Sequence, residues 1–505
     1  VGSSPAEAAA RLSPAARRED LGGRVVVPGL LDGHAHVVSE GLRLAMPALA
    51  GLSRAEILDR VAREAAARPS GEWIVGHGWN QEDWPGNAWP TLAELDAAAP
   101  GHPVFLDRVD RHSSWVNSRA LAAAGLDENS PHPPGGEILK DSSGRLLGIV
   151  AGTAVNLVRR AQPRPGPAAV KAAYLAAQAE YLAHGITGGL EASSRLKDLA
   201  VLKTAYDEGL FKMRLRAMLF AETGEDAAYI KDGGRPVSGL CGERFAIAGV
   251  KIIADGSLGS RTAWLSSDYA DRPGHRGGPW CGEAELAAVL RRARDHGFQA
   301  AVHVIGDAAV ARVVKVMAEV LGPEPGDHRW RLEHFQVVSE EDRDKVLALG
   351  LVPSIQAAGL MTDLSMAGDR LAPAALARSY AWREILDAGG VITGGSDAPV
   401  ESVNPFWGLY AAVTRRNLAG RPAGGWRPEH CFTRLEALKS YTVWAAWAMF
   451  AERRQGSLAP GKLADFTVLS DDPLTCPAEA LKDIQALRTV IGGETVYERG
   501  PVKTS

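Results

Sequence analysis

Two histidines separated by one residue, His34 and His36, stand at the end of the run VVVPGLLDGHAH over residues 25–36. The β-branched residues of this run predict a β-strand. Side chains at positions i and i+2 of a strand point to the same side, so we expect the two imidazoles to converge. Two neutral imidazoles on one rigid element suit a divalent metal such as zinc. For the pair alone, the alternative is two polar residues at a strand end.

Four further side chains with metal-binding or acid–base chemistry follow other apolar segments of the chain. They are Lys251 in GVKIIADGS, His303 in AVHVIGD, His334 in RLEHFQ and Asp397 in TGGSDAPV. Each of them stands at or near the end of a predicted strand. In an α/β barrel, residues at the carboxyl ends of the strands meet at one mouth. The sequence therefore predicts one site that contains these four residues and the two histidines.

The elements that must position this site are eight apolar segments that alternate with helix-like stretches. The predicted strands are residues 25–33, 186–190, 213–220, 247–253, 299–304, 329–335, 351–356 and 391–395. Alternating strands and helices indicate a parallel sheet, and eight such units indicate a TIM-like (β/α)8 barrel of the α/β class. The longer interval after the fourth strand leaves room for an active-site loop over residues 255–283.

The chain is expected to form two domains, with a large insertion after strand 1 of the barrel. The expected bounds are 25–454 for the barrel, about 38–168 for the inserted subdomain, and 1–24 together with 455–505 for a small β-sandwich domain built from both termini. Within the insertion, GGEILKDSSGRLLGIV predicts a β-hairpin. The C-terminal strand and turn patterns have no helices between them, so they do not continue the barrel.

Composition restricts the class of protein and its partners. The chain has 505 residues, of which 46% are hydrophobic, and a net charge of −4. This balance gives no reason to expect nucleic acid or a membrane as a partner. No apolar run approaches the roughly 20 residues of a membrane span. Four widely spaced cysteines without a CxxC pair favour the cytoplasm. An exported form whose signal precedes Val1 is the alternative.

Several motifs together resemble one known family of enzymes. They are LDGHAH, VKIIADGSLGSRTA, HVIGDAAV, RLEHFQ, GGSDAPVESVNPFWGL and GSLAPGKLADFTVLSDDP. They resemble the amidohydrolase superfamily, and within it the YtcJ-like "amidohydrolase 3" family, which includes N-substituted formamide deformylases. The resemblance covers nearly the whole chain. Members of that family usually carry several more β-strands before the position of Val1, so either this sequence is trimmed or its β-domain is short.

The resemblance implies a metal-dependent hydrolase that cleaves a C–N bond in an amide or an N-acyl or N-formyl amine. A water activated by the metal would be the nucleophile, and Asp397 would act as general base and then as general acid. The expected cofactor is one or two divalent metal ions, zinc by preference. The resemblance implies that His34, His36 and Asp397 hold one ion, and that His303 and His334 hold a second ion or serve the first.

Lys251 has two possible roles at such a site. As a protonated amine it would be repelled by metal cations. As a neutral amine, which burial favours, it can add carbon dioxide and form a carbamate. The resemblance implies that this carbamylated lysine bridges two metals. The alternative is a plain amine at a one-metal site, paired with Asp255 or with substrate.

Six residues are candidates for contact with a small-molecule, amide-type substrate, and each has a structural alternative. They are His77, Trp79, Arg108, His112, Asp255 and Arg261. The tryptophans of the insertion favour an apolar or aromatic substituent if they line the pocket, but they could equally form the core of the insertion. Arg261 could bind a carboxylate or form a surface ion pair.

Other functions and assemblies stay open at this stage. A deaminase, a cyclic amidase or an esterase of the same superfamily would use the same ligands. A non-catalytic scaffold on the same barrel is the alternative outside enzymes, but such relatives lose metal ligands and this chain retains all six. A homodimer is the commonest assembly for a soluble protein.

Overall fold

The computed structural model describes residues 13, 19–221 and 224–500, so most of the expected N-terminal segment 1–24 lies outside the described residues. In chain order the strands are β1 (Val25–Pro28), β2 (Leu30–Ala35), β3 (Ile74–Trp79), β4 (Val104–Arg108), β5 (Ser113–Val116), β6 (Gly136–Lys140), β7 (Leu146–Gly152), β8 (Ile186–Ser194), β9 (Arg214–Phe220), β10 (Val237–Gly239), β11 (Phe245–Ile253), β12 (Gln299–Val304), β13 (Arg331–His334), β14 (Val352–Ile355), β15 (Thr393–Gly394), β16 (Phe466–Leu469), β17 (Ala486–Ile491) and β18 (Glu494–Glu498).

Helices connect and cover these strands. The longer ones are Val37–Leu44, Arg54–Ala67, Leu92–Ala98, Ser118–Ala123, Ala154–Ala161, Pro167–Ala183, Leu196–Asp207, Gly224–Lys231, Glu283–His296, Asp307–Leu321, Glu340–Ala348, Ala357–Asp363, Pro405–Thr414, Arg434–Ser440 and Val443–Ala448. Shorter helical segments are Gln81–Asp83, Pro85–Asn87, Leu240–Glu243, Ala367–Arg370, Pro373–Ala377, Arg383–Asp387, Pro428–His430 and Ala478–Asp483.

Eight parallel strands form a nearly closed barrel, which confirms the predicted fold. Their order around the barrel is β2, β8, β9, β11, β12, β13, β14 and β15. The two end strands approach closely at Gly33, where a Cβ atom would lie 2.2 Å from Thr393 Oγ1 and 2.5 Å from the Gly394 carbonyl oxygen. Only glycine fits there, and its use brings β2 against β15.

The run of residues 25–33 is not one barrel strand, as the sequence had predicted, because it divides at Pro28. Residues Val25–Pro28 pair antiparallel with β16 in a small sheet of order β1-β16-β17-β18. Pro28 has no N–H to donate to a further ladder bond. At Gly29 a Cβ atom would lie 2.4 Å from Thr187 Oγ1, so the chain crosses between the two sheets at a residue without a side chain. The barrel strand begins at Leu30.

The insertion after β2 has its own sheet and its own core. Its five strands lie in the order β3-β4-β5-β7-β6, and β6 and β7 form the predicted hairpin. Trp79, Trp84 and Trp115 pack together at its centre, with ring centroids 5.8 and 6.3 Å from that of Trp79. The tryptophans therefore stabilise the insertion itself, which was the structural alternative for them. The outer bounds of the insertion and of the two domains remain predictions.

The helices bury one apolar face each against the barrel. In Asp307–Leu321 the buried residues Val310, Val313, Val314 and Met317 recur at the spacing of one helical face. Burial of such an apolar face contributes far more to the stability of the helix than its intrinsic helix propensity does. Among the described residues, no helix combines the length and the apolar character that crossing a lipid bilayer requires.

Candidate metal centre and active site

The two histidines of the HxH motif converge on one carboxylate. His34 lies in β2 and is fully buried, and His36 follows the strand. Their Nε2 atoms lie 3.3 and 3.0 Å from the same oxygen, Oδ1 of Asp397. Asp397 follows β15, the strand that stands next to β2 across the nearly closed seam of the barrel. The alternation of side chains along β2 and the closure of the barrel together produce this convergence.

His334 completes a compact group of possible ligand atoms. One ligand atom each from His34, His334 and Asp397 all lie within 4.8 Å of one another. Nδ1 of His334 is 4.0 Å from Oδ2 of Asp397. His334 and Asp397 have positive φ angles of 72° and 56°, a conformation that residues other than glycine seldom adopt. Such backbone strain is typical of functional sites, where the surrounding fold enforces it.

Glu333 fixes the orientation of His34. Its Oε2 lies 2.5 Å from His34 Nδ1, and Arg331 Nε donates to its Oε1 over 2.7 Å. All three side chains are fully buried. Arg331 also donates to Ser354 Oγ and to the Gly33 carbonyl, so it joins three barrel strands. This arrangement turns Nε2 of His34 toward Asp397, as carboxylate partners of metal-binding histidines do.

Lys251 and His303 line the same end of the barrel. Nζ of Lys251 lies 3.4 Å from Nε2 of His34, and the lysine is 2% exposed. The ring of His303 lies 4.3 Å from that of His334, measured between centroids. Nε2 of His303 is 3.1 Å from the Gly256 carbonyl oxygen. All six predicted metal-site residues are therefore brought together at the barrel mouth.

The electrostatics favour neutral imidazoles at His36, His303 and His334 and an ionised carboxylate at Asp397. His34 differs: burial lowers its pKa, but the adjacent carboxylates of Glu333 and Asp397 more than offset this and raise the pKa above its usual value. Burial lowers the pKa of His36 to about 4 and the pKa of His334 to about 3. Burial, with the nearby His334, also holds the pKa of His303 well below its usual range. Burial alone would raise the pKa of Asp397, but the adjacent His34 and His36 hold it well below its ordinary value.

This donor set fits a divalent metal. Neutral imidazole nitrogens and an ionised carboxylate oxygen are the ligands that zinc takes in catalytic sites. The ring of His334 is 7% exposed and faces the cleft beside Asp397. His34, His36, His334 and Asp397 could hold one ion, and His303 and Lys251 stand close enough to serve the same or a second ion.

A cleft opens from this group between the barrel and the insertion. Its lining includes Asn80, Glu82, Arg108, Asp110, His112, Ser257, His303, His334, Gln336, Gln356, Thr362, Asp363, Asp397 and Glu401. Two of the six residues predicted to bind substrate, Arg108 and His112, therefore stand on the cleft. Arg108 is held by three partners, with Nε donating to Gln81, Nη2 to Asn80 and Nη1 to Asp110.

The other four predicted substrate residues do not line the cleft, although Asp255 Oδ1 lies 3.7 Å from Nε2 of the cleft residue His303. Trp79 is buried in the core of the insertion, where its indole N–H donates to the Leu106 carbonyl over 2.7 Å. His77 stands on the same strand, and burial lowers its pKa to about 4. Both residues lie in β3, a strand of the insertion, so the core of the insertion determines the surroundings of their side chains.

Asp255 and Arg261 have structural partners in place of substrate. Asp255 is fully buried and accepts hydrogen bonds from the backbone N–H groups of Trp264, Ile305 and Gly306, which ties the loop after β11 to the one after β12. Burial raises its pKa to about 7. Arg261 forms a bidentate ion pair with Asp271, in which Nε donates to Oδ1 over 3.1 Å and Nη2 donates to Oδ2 over 2.8 Å. Both residues line a neighbouring cavity.

Sequence reasoning assigned no role to Glu333, Asp363 or Glu401. Glu333 directly precedes His334, and a search for a carboxylate next to each candidate ligand would have found it. Asp363 and Glu401 follow β14 and β15, so their place after barrel strands was a usable signal. Burial raises the pKa of Asp363 to about 6 and that of Glu401 to about 8. The cleft is thus lined by carboxyl groups, and Trp79, Trp84 and Trp115, which could have lined it, pack in the core of the insertion.

The fold is shared with a crystal structure of an uncharacterized metal-dependent hydrolase from Pyrococcus horikoshii OT3. The TM-score is 0.73 and the identity 27%, over 91% of this chain and 88% of that chain. The chain therefore shares its barrel with a metal-dependent hydrolase and carries histidines and a carboxylate at the barrel mouth, which supports a hydrolase as the class of this protein.

The chain belongs to the Amidohydrolase family (Amidohydro_3), whose model matches residues 18–497. It is 32% identical over 493 residues to the amidohydrolase-family protein YtcJ of Bacillus subtilis (strain 168), covering 96% of this chain and 92% of that protein. It is 28% identical over 504 residues to the N-substituted formamide deformylase of Arthrobacter pascens, covering 96% and 91%. The resemblance read from the motifs is confirmed.

Proposed function

We propose that this protein uses a divalent metal to hydrolyse the C–N bond of an amide, with N-substituted formamides as the first class of substrate to test. The observation that carries the proposal is the convergence of His34 and His36 on Asp397, at 3.3 and 3.0 Å. Histidines alone would indicate binding only. An ionised carboxylate that stands among them at the floor of a cleft can also move a proton, which hydrolysis requires.

His34, His36, His334 and Asp397 would hold the ion, with His303 and Lys251 as further ligands. When bound, a zinc ion supplies a nucleophilic water at neutral pH and polarises the scissile carbonyl. Lys251 would take part as a carbamate, because its buried amine stands 3.4 Å from His34 and a carbamate supplies oxygen atoms that an amine lacks. Zinc is the metal that best matches imidazole nitrogen and carboxylate-type oxygen donors. The carbamate of Lys251 would be one of those oxygen donors.

Asp397 carries the proton through the reaction. It takes a proton from the attacking water as the new C–O bond forms and the carbonyl electron pair moves onto oxygen. When that pair returns, the C–N bond breaks and Asp397 gives the proton to the departing amine. Its low pKa, held down by His34 and His36, keeps it ionised and ready as a base. Arg108 and His112 line the cleft in which the substrate would bind.

A substrate panel with matched variants tests this proposal. The panel holds formamides with butyl, benzyl and aminoethyl groups on nitrogen, together with a cyclic amide, an aminopyrimidine and an ester for the alternative reactions. We expect formate release from at least one formamide, and a loss of at least 10³-fold in kcat for Asp397→Asn. The control is Asp268→Asn, an exposed residue paired with Arg276. Faster hydrolysis of the ester or deamination of the pyrimidine would contradict the proposal.

Location and assembly complete the proposed function. We propose the cytoplasm, because Cys241, Cys281, Cys431 and Cys476 all remain thiols in the described part of the chain. A homodimer is proposed on general grounds of symmetry. Sedimentation of the purified protein tests the second point, and a monomer at micromolar concentration would contradict it.

A further inference from the structure

The insertion places one histidine, His112, directly beside the candidate metal centre. His112 stands in the connection between β4 and β5, at the tip of the insertion's sheet. Its ring centroid lies 5.2 Å from that of His303 and 5.2 Å from that of Trp280. It lines the cleft together with His303, His334 and Asp397. A side chain from outside the barrel therefore faces the group of barrel residues.

The backbone of His112 is held firmly on both sides. Its N–H donates to Asp110 Oδ1 over 3.1 Å, and its carbonyl accepts from the Gly152 N–H over 2.8 Å. Asp110 Oδ2 in turn accepts from Arg108 Nη1 over 2.9 Å and from Ser257 Oγ over 2.7 Å. Ser257 belongs to the barrel loop after β11. These bonds fix the insertion's tip to the barrel and hold the histidine in place.

The ring of His112 lacks the partner that a structural histidine normally has. Nδ1 is buried, and among the residues that the structure describes it has no hydrogen-bond partner. Leaving such a group unpaired costs about 1–3 kcal/mol. His102, by contrast, is bonded, with its Nδ1 2.9 Å from the Glu72 carbonyl oxygen. Among the described residues, His77, His296 and His430 also leave one buried ring nitrogen without a partner, but of these four histidines only His112 lines the cleft. A rigidly held ring with an unused nitrogen beside a reaction centre is suited to binding a ligand.

We propose that a ring N–H of His112 donates a hydrogen bond to the carbonyl oxygen of the amide substrate and stabilises the charge that forms there. This rests on the proposed hydrolysis. As water adds to the carbonyl carbon, the electron pair of the C=O bond moves onto oxygen, and the oxygen becomes an anion. An imidazole carries at least one N–H in either protonation state, so it can always donate. A donor held in advance, with little access to water, is the arrangement that stabilises such an anion.

The role differs from that of Arg108 in a way that kinetics can separate. Each of the three guanidinium nitrogens of Arg108 already donates to a protein partner, Gln81, Asn80 or Asp110, so Arg108 is positioned to shape the cleft. His112 has an unoccupied donor that interacts most strongly when the negative charge develops. Removing it should therefore lower kcat by about 10²–10³-fold and change KM by less than about threefold.

The test compares His112→Phe, which keeps a flat ring against Trp280, with His112→Gln, which restores an N–H. His112→Ala replaces the first variant if it does not fold. The control is His102→Phe, a buried histidine of the insertion that lies away from the cleft. The zinc-loaded proteins are titrated by calorimetry with N-benzyl methylphosphonamidate, whose anionic tetrahedral phosphorus mimics the species formed on water addition. Kinetics with the best formamide, metal content and thermal unfolding are measured beside it.

We expect His112→Phe to bind the phosphonamidate at least tenfold more weakly than the wild type, with unchanged metal content, and His112→Gln to recover part of the loss. Equal affinity in His112→Phe, equal loss in both variants, or no binding by the wild type would overturn the assignment. The titration needs no turnover. A wild type that binds through His112 but hydrolyses no formamide would overturn the proposed reaction and leave the donor role intact.

Discussion

Replacing Glu333 with glutamine should weaken metal binding although no candidate metal ligand is replaced. Glu333 is fully buried between His34, at 2.5 Å, and Arg331, at 2.7 Å. The amide of Glu333→Gln keeps the shape but loses the charge, so it no longer holds the Nδ1 proton of His34 strongly. Loss of such a partner lowers metal affinity by about 10–100-fold. We expect the Kd for zinc, measured by competition with a chromophoric chelator, to rise by that factor.

The same substitution should also reduce stability, and a control separates the two effects. Removing one partner of a buried ion pair costs about 3–5 kcal/mol, because the other charge is left buried. Arg331 keeps its bonds to Gly33 and Ser354, which favours the lower end. Asp465→Asn breaks another buried pair, Arg214–Asp465 at 2.7 Å, far from the cleft.

The control should lose stability in denaturant titrations with no change in the Kd for zinc. An unchanged Kd in Glu333→Gln, or an equal rise in Asp465→Asn, would refute the reasoning about His34.

Three further predictions address other parts of the molecule. Lys251→Met should reduce the number of zinc ions bound per chain and abolish any mass gain of one carbon dioxide in native mass spectra; an unchanged metal count would rule out a bridging carbamate. Arg370→Met should lower the melting temperature and raise KM for the best formamide. Arg370 is 3% exposed and donates to Glu82 of the insertion and to Asp271 of the loop after β11, so it joins both walls above the cleft. An unchanged KM would mean that these two ion pairs do not shape the cleft. Burial raises the pKa of Glu191 from 4.5 to about 8, so between these values the folded state keeps a proton that the unfolded state releases. The free energy of unfolding should therefore fall as the pH rises through that window. Glu191→Gln should reduce this fall in urea titrations between pH 5 and 8, and an equal dependence of the free energy on pH in the variant would contradict the prediction.

The barrel and the convergence of the candidate metal-site residues at its mouth could be predicted because their signals are local. A strand shows itself by a short apolar run, and the residue at its end is then known to face the mouth. His34 and His36 illustrate this, since two positions on one strand fix their common direction. Asp397 and His334 needed only the rule that strand ends meet. The split at Pro28 was missed because apolar residues on either side of it look alike in sequence, and only the approach to Thr187 separates the two sheets.

Substrate contacts were harder to predict because they depend on how distant segments pack. Trp79 belongs to the core of the insertion, and its indole N–H bonds inside that core. Asp255 looked available in sequence, but three backbone N–H groups from two loops occupy it. His112 and Arg108 stand on the cleft because Asp110 bonds across to Ser257, a contact between residues 147 positions apart.

Centrally, we propose that the histidines and Asp397 hold a metal on which hydrolysis depends. The most direct measurement strips the protein with a chelator and titrates it with zinc, while formate release and bound zinc per chain are followed on the same samples. We predict that the stripped protein is inactive and that hydrolysis rises in step with bound zinc, to a limit of one or two ions per chain. Full hydrolysis by the stripped protein, or activity that does not follow bound zinc, would contradict the claim.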